Sequence, residues 1–278
     1  RTLFKVVVPL LRPAILATLV FSFTHAMTAV SAVIFLATAK YNLATVYIIG
    51  RVEAVLVGRV APYTRPGSTS AIAKQPVAER VAAGPLGLAG DEQADTRVHG
   101  GVDKAIHLYA FEHYAAWRAE FGLNALPALA APGGFGENLS TLGVDERDIC
   151  LGDRLRIGST LLEVAQGRQP CWKLNDRFGV PDMARRVQDT LRTGWYCRVL
   201  AEGSVGAGDD IVLVARPHPD WPVARLMGVL YQRCLDPTIL RAVLDLPLVP
   251  GWRKLVEQRL ASGEIEDWRK RLDGPGLA

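Results

Sequence analysis

The run Arg154-Leu-Arg-Ile-Gly-Ser-Thr-Leu-Leu-Glu-Val-Ala165 reads as two short strands, Arg154–Ile157 and Thr160–Ala165, turned at Gly158-Ser159. Working outward, similar strand-like runs recur at Val55–Val60, Ala105–Tyr109, Trp195–Leu200 and Ile211–Ala215. Glycine and aspartate stand between them, at Gly152-Asp153 and Gly208-Asp-Asp210, where turns require them. Short strands at regular spacing predict a closed or nearly closed β-barrel rather than a doubly wound sheet. Two helices interrupt it, one with Tyr114, Trp117 and Phe121 on one face, the other with Met183, Val187 and Leu191.

After Pro222 the apolar spacing becomes helical. Val223, Leu226, Met227 and Leu230 form one stripe; Ile239, Leu240, Val243 and Leu244 form the next. Trp252, Leu255, Val256 and Leu260 follow, then Ile265, Trp268 and Leu272. Asp236-Pro237 supplies a cap and first-turn pair for the second helix. The opposite faces are charged, which predicts a small bundle packed on itself or on the barrel. Such a tail suits docking or homodimer formation more than catalysis.

The first residues are unlike the rest. Ala14–Ala39 holds no Lys, Arg, Asp or Glu, and its 26 residues exceed the roughly 20 that cross a bilayer as a helix. Arg1, Lys5 and Arg12 precede the run, but it is long for a signal peptide and no clear small-residue cleavage site follows. A transmembrane helix is the expectation, with membrane contact confined to residues 14–39.

Composition narrows the function. A net charge of +4, with cations scattered over 278 residues, gives no nucleic-acid stripe. No phosphate loop or dinucleotide fingerprint is present. Cys150, Cys171, Cys197 and Cys234 form no Cys-x-x-Cys pair, which points to a reducing compartment. Cys171 stands apart, in Gln166-Gly-Arg-Gln-Pro-Cys-Trp-Lys-Leu174. Arg168 and Lys173 flank it, and a thiol among cations ionises more easily to the form that attacks electrophiles or binds a soft metal. Pro170 restricts Gln169 to extended geometry, which suits a side chain presented from a loop. The other three cysteines lie in strand or helix patterns and read as core. Upstream, Gly87-Leu-Ala-Gly-Asp-Glu-Gln-Ala-Asp95, Arg97-Val-His-Gly-Gly101 and Gly136-Glu-Asn-Leu139 are rich in glycine and polar groups that could converge with Cys171. Asp91 and Asp95 read either as an acid/base pair or as the ends of a turn; His99 and Asn138 likewise read as site or turn residues.

These runs, in this order, resemble the MOSC domain, named after the C-terminal part of molybdenum-cofactor sulfurases, and most of all its YiiM-type branch, associated with resistance to hydroxylaminopurine. The likeness covers about Val55 to Arg216, with a helical tail that the branch also carries. It implies a mainly β protein: a MOSC-type β-barrel over 55–216 and a small C-terminal α-helical bundle over 222–278. It also implies molybdenum cofactor (molybdopterin) as cofactor and Cys171 as molybdenum ligand or persulfide carrier. Arg168, Lys173, Lys104 and Lys74 would serve its anionic part, Asn138 would make an amide contact, and His99 would donate a proton or orient the substrate. The activity implied is reduction of N-hydroxylated bases to amines in the cytoplasm, with electrons from a separate donor protein, since no flavin, haem or iron–sulfur motif is visible. Sulfur carriage on a Cys171 persulfide is the alternative.

Residues 1–53 resemble something else. Phe4-Lys-Val-Val-Val-Pro-Leu-Leu-Arg-Pro-Ala14, Ala26-Met-Thr-Ala-Val-Ser-Ala32 and Tyr47-Ile-Ile-Gly-Arg-Val-Glu53 are similar to the late part of an iron-type ABC-transporter permease of the inner membrane. The likeness implies a permease-like fragment fused ahead of the barrel, which works without it; a permease remnant carrying a silent passenger is the remaining reading.

Overall fold

Tyr47–Val57 forms one strand, β1: Tyr47–Arg51 pairs with the last barrel strand, Arg51–Val55 with Leu139–Leu142, and Val55–Val57 with Gln75–Val77. The computed structural model describes residues 18–20, 22, 47–122 and 126–274. Residues Tyr47–Ala278 form one compact unit. In chain order its further strands are β2 (Ala61–Pro62), β3 (Thr69–Ser70), β4 (Gln75–Val77), β5 (Val81–Gly84), β6 (Gly87–Leu88), β7 (Ile106–Ala110) and β8 (Leu139–Leu142). Then come β9 (Arg154–Ile157), β10 (Thr160–Gly167), β11 (Trp195–Ala201), β12 (Gly203–Val205) and β13 (Asp210–Ala215).

The main sheet runs β13-β9-β10-β11-β7-β8-β1, and β13 pairs back onto β1, closing a seven-stranded barrel with β4 alongside β1. All pairings in it are antiparallel except β7 with β8. Closure removes the free edges an open sheet would expose. The interior is apolar: Leu155, Ile157, Leu162, Val164, Trp195, Cys197 and Ile211 are buried. Each fully buried aliphatic side chain of this kind contributes roughly 1.5–3 kcal/mol. Helices Val223–Tyr231, Pro237–Leu244 and Pro250–Ser262 extend the same core with Leu226, Met227, Leu240, Val243, Trp252 and Val256. The bundle therefore packs on the barrel. Gly167, the last residue of β10, permits this approach, because a Cβ there would lie 2.2 Å from Met227 Sδ. A second cluster joins Tyr109, Trp117, Phe135, Leu174, Met183 and Leu272.

The strands expected from Arg154 to Ala165 and near 106, 195 and 211 are present, as are helices Glu112–Phe121 and Met183–Asp189. Asp236 caps its helix as expected, accepting from the N–H groups of Thr238 and Ile239. The fourth tail helix is shorter than its stripe, covering Arg269–Leu272 alone. The compact unit begins at Tyr47, before the join expected near residue 54. Tyr47–Glu53, read with the permease-like piece, is barrel strand, because four of its residues pair with β13.

Arg1–Val46 is a separate unit, in which the described residues 18–20 and 22 are helical. Among the described residues no helix is long and apolar enough to cross a membrane. The span expected over 14–39 lies almost wholly outside the described residues.

Candidate functional site

Cys171 sits on the loop between β10 and helix Lys173–Phe178, half-buried, at one end of the barrel. The loop is tied on several sides. The Arg168 N–H donates to the Gly194 carbonyl, and the Tyr231 hydroxyl donates to the Arg168 carbonyl. The Arg271 guanidinium donates to the Pro170 carbonyl at 2.5 Å, and the Trp172 N–H donates to the Arg271 carbonyl at 2.8 Å. The cysteine is thus fixed by the C-terminal segment as well as by the barrel.

Lys74, His99, Lys104, Asn138, Arg168, Cys171 and Lys173, seven of the residues singled out from the sequence, line one pocket, whereas Asp95 lines the cavity next to it. Asp91, His107 and Tyr196 line it too. Asp91 is the hub of its inner wall. Its carboxylate accepts from Lys74 Nζ, from the Gly58 N–H and, at 2.8 Å, from Asn138 Nδ2. Asn138 Oδ1 accepts from the His107 N–H. Lys74 and Asn138 therefore brace the inner wall through Asp91 while lining the pocket. Burial lowers the Lys74 pKa, and Asp91 opposes that shift.

The Gly133–Asn138 turn that carries Asn138 is held by a buried carboxylate. Glu137 accepts from Tyr114 Oη and from the N–H groups of Gly133 and Phe135. Gly133 and Gly136 have φ of 101° and 75°. A Cβ at Gly133 would lie 2.6 Å from the Lys74 carbonyl oxygen, and one at Gly136 would lie 2.9 Å from Ile72 Cγ1. Only glycine combines that backbone with so close an approach.

The outer wall is cationic. Arg168 is buried, and its Nη1 has no hydrogen-bond partner. An unpaired buried guanidinium nitrogen costs free energy unless an acceptor arrives. Lys173 Nζ donates to the Thr69 carbonyl at 2.8 Å. Lys104 is lowered by burial, with the charges of Cys171 and Asp103 opposing the shift. His99 is pushed down to about 4, first by burial and then by Lys173, Lys104 and Arg168. His107 is held well below its ordinary value, mainly by burial and then by Arg168. Both imidazoles are neutral near pH 7, so His99 offers a hydrogen bond there rather than the proton of an imidazolium.

A second, larger cavity of about 1020 Å³ adjoins the first, and the two share Cys171, His99, Lys104, Lys173 and Tyr196. Its far wall is C-terminal: Tyr231, Leu255, Glu266, Trp268, Lys270 and Arg271. The helical tail, expected to stand apart from the chemistry, is a wall of the site. Cys150 and Cys197 are core, and Cys234 packs against it.

Residues 95–212 match the MOSC domain family, and residues 221–263 match the YiiM-like, 3-alpha helix domain. The protein YiiM of Escherichia coli K12 is 39% identical over 221 residues, which is 79% of this chain and 97% of the relative. The chain belongs to the MOSC family, in its YiiM branch. The crystal structure of YiiM from Escherichia coli superposes on this MOSC protein with a TM-score of 0.66 at 32% identity, covering 81% of this chain and 99% of that one. A protein of Gibberella moniliformis named "Reductase" is 38% identical over 210 residues, 75% of this chain and 37% of its own length. A further 53 residues, 19% of this chain, are 55% identical to a ferric transport system permease protein, FbpB, of Actinobacillus pleuropneumoniae, and cover 8% of it.

Sequence reasoning passed over His107, Tyr196, Trp268 and Arg271. None stands in a polar, glycine-rich run. Two come from strands, where a half-buried pattern looks the same whether a residue faces core or pocket, and two from a tail whose path across Cys171 no local pattern reveals.

Proposed function

We propose that the barrel and its tail form a molybdenum-cofactor-binding enzyme that reduces N-hydroxylated bases such as hydroxylaminopurine to amines, with Cys171 as the molybdenum ligand. The observation that carries this reading is the convergence on Cys171 of Arg168, Lys104 and Lys173, with Arg168 Nη1 buried and unpartnered. Among the described residues no three His, Cys, Asp or Glu side chains are grouped to hold a bare metal ion. One thiol beside an anion pocket suits instead a metal that arrives with ligands of its own and a charged group. The residues fit the cofactor in that sense. The relative named "Reductase" agrees in class.

When bound, the cofactor would supply a two-electron couple at a metal held by Cys171. The reaction balances as an N-hydroxy group taking two electrons and two protons to give an amine and water. Arg168 and Lys173 would hold the anionic part, while Asp91, Lys74 and Asn138 keep the inner wall in place. Lys104, whose pKa burial lowers, lines the pocket with Cys171 and is the side chain we assign to protonate the departing oxygen. His99, neutral at pH 7, would orient the substrate by a hydrogen bond. A separate protein would supply the electrons. That dependence, and the cofactor itself, would put the MOSC part in the cytoplasm. Residues 1–46 would be a permease-derived segment that the enzyme does not require.

The test is metal analysis of the protein purified from a host that makes molybdenum cofactor, together with conversion of 6-hydroxylaminopurine to adenine with a chemical donor. Molybdenum near one per chain in the wild type, lost in Cys171→Ser and reduced in Arg168→Met, is expected. A metal-free wild type carrying cyanolysable sulfur at Cys171 would replace this reading with sulfur carriage.

A further inference from the structure

Residues 264–274 leave the helical bundle, run along the cavity beside Cys171 and end against the cysteine loop. Glu266, Asp267, Trp268, Lys270 and Arg271 line that cavity. The near end is fixed. Glu266 is gripped by Arg259, whose Nε and Nη2 reach its two carboxylate oxygens at 2.9 and 2.8 Å. Arg259 is 2% exposed and also donates to the carbonyls of Val229, Leu230 and Cys234. The Trp268 indole N–H donates back to Glu266 Oε1 at 2.7 Å. Glu266 is thus an anchor on the bundle.

The far end docks on a surface built by two other segments. The Leu272 carbonyl accepts from Asn175 Nδ2 at 2.8 Å, and the Asp273 carbonyl accepts from Arg65 Nη1 at 3.1 Å. Arg65 comes from the turn between β2 and β3. Its Nε and Nη2 reach the Asp176 carboxylate at 3.1 and 3.2 Å, and its guanidinium lies 4.1 Å from the centroid of Trp172, the residue after Cys171. Gly274 completes the fit. Its φ is 89°, and a Cβ there would lie 2.9 Å from Trp172 Cγ and nearer still to Arg65 Nη1. The bare backbone packs onto the stacked pair, which only glycine allows. Between anchor and dock the hold is light: of residues 267–274, Leu272 is the one apolar side chain that is buried, while Asp267, Arg269 and Lys270 are exposed. A terminal segment held by few apolar contacts opens far more readily than a closed barrel.

We propose that residues 267–274 are a strap that gates Cys171, pivoting at the Glu266–Arg259 anchor and latched where Gly274 meets Arg65 and Trp172. Release of the latch admits a bulky ligand to the thiol, and its closure retains that ligand. The proposal rests on the cofactor reading of the Cys171 site only for what the strap retains; access to the thiol is a property of the strap alone.

The experiment loosens the latch without touching the pocket, on the full chain. Gly274→Ala places a Cβ against Trp172 and strains the backbone, which should raise the open population about ten-fold. Arg65→Gln cuts the same latch from its other side. Gly251→Ala is the control, since a Cβ there meets nothing within 4 Å. The first readout is the rate at which fluorescein maleimide, a bulky reagent, labels Cys171, resolved from the half-buried Cys234 by peptide mass. The second is hydrogen exchange of the Trp172 amide, which donates to the Arg271 carbonyl. Both should quicken about ten-fold in the two latch variants, with Cys234 labelling and the β10 amides unchanged and Gly251→Ala like wild type. Molybdenum carried by the protein should be lost faster in the same variants. Faster Trp172 exchange with unchanged Cys171 labelling would mean that the tail frays without guarding the thiol, and no change in either would mean that the tail is a fixed wall; each result overturns the strap. Faster labelling in a protein that never holds molybdenum would leave the strap standing and sink the cofactor reading instead.

Discussion

Arg271 holds the backbone on both sides of Cys171: its guanidinium binds the Pro170 carbonyl, and its own carbonyl receives the Trp172 N–H. The two residues are one hundred apart in the chain, so the position of the thiol depends on the last turn of the tail. The same guanidinium reaches Gln188 Oε1 at 2.6 Å. Arg271→Ala removes two hydrogen bonds made by a charged donor, each worth roughly 1.5–3 kcal/mol. The main-chain bond from Trp172 should survive, so a loss of about 3–6 kcal/mol is expected in urea unfolding. Molybdenum retention should fall with it, and Arg271→Lys should restore part of both. Full retention in Arg271→Ala would show that the cysteine loop positions itself.

The start of the barrel gives a sharper test of where the fold begins. A chain starting at Tyr47 should fold and melt cooperatively. A chain starting at Val55 loses the β1 residues that pair with β13 at Leu213, Val212, Ile211 and Asp210. That opens the barrel and exposes two strand edges. It should aggregate or melt far lower; equal melting of the two chains would place the true boundary after Glu53.

Lys74 and Asp91 form a buried ion pair with side chains 7% and 3% exposed. Lys74→Met leaves the carboxylate without its cation, which typically costs about 3–5 kcal/mol. Asp91→Asn combined with Lys74→Met should recover part of the loss, because no charge is then stranded. A Lys74→Met protein as stable as wild type in urea would mean that the Gly58 N–H and Asn138 satisfy Asp91 by themselves.

The histidines set an acid limit. In the unfolded chain an imidazole takes a proton near pH 6.5; in the folded protein His99 does so only near pH 4. Between those values the unfolded state binds more protons, so stability present above pH 6.5 is lost as pH falls toward 4. For His99 the whole window amounts to about 3 kcal/mol. His107 is shifted in the same direction and adds to the slope. Urea midpoints at pH 7, 6 and 5 should fall steadily, and His99→Gln should flatten the trend. A slope unchanged in that variant would assign the acid sensitivity elsewhere.

The cysteines should separate chemistry from folding. Cys171→Ser should abolish metal binding and activity yet melt near wild type, since the thiol is half-buried and the change nearly isosteric. Cys197→Ser should do the reverse. Its side chain is fully buried in the barrel, and a hydroxyl there costs roughly 1–3 kcal/mol without a partner. A melting curve and a turnover assay for each variant decide the matter.

Much of this is written in local sequence. Strands β9 and β10, their turn at Gly158, the cap at Asp236 and the glycine-rich runs around the pocket are set by neighbours a few residues apart, and propensity and spacing suffice to read them. Cys171, Arg168, Lys173, His99 and Asn138, named from those runs, do meet in one pocket, with Lys74 and Lys104 beside them. What they do there was decided at longer range. Asn138 and Lys74 are drawn inward because Asp91, distant in sequence from Asn138, needs partners for a buried charge. His99 becomes a neutral hydrogen-bonding group because the fold buries it and then sets Lys173, Lys104 and Arg168 around it. Tyr47–Glu53 joins the barrel because β13 offers it a free edge, and Trp268 and Arg271 line the cavity at Cys171 because the tail packs back against the barrel. Pairing, burial and charge between distant segments leave no mark on local spacing, so only the folded chain settles them.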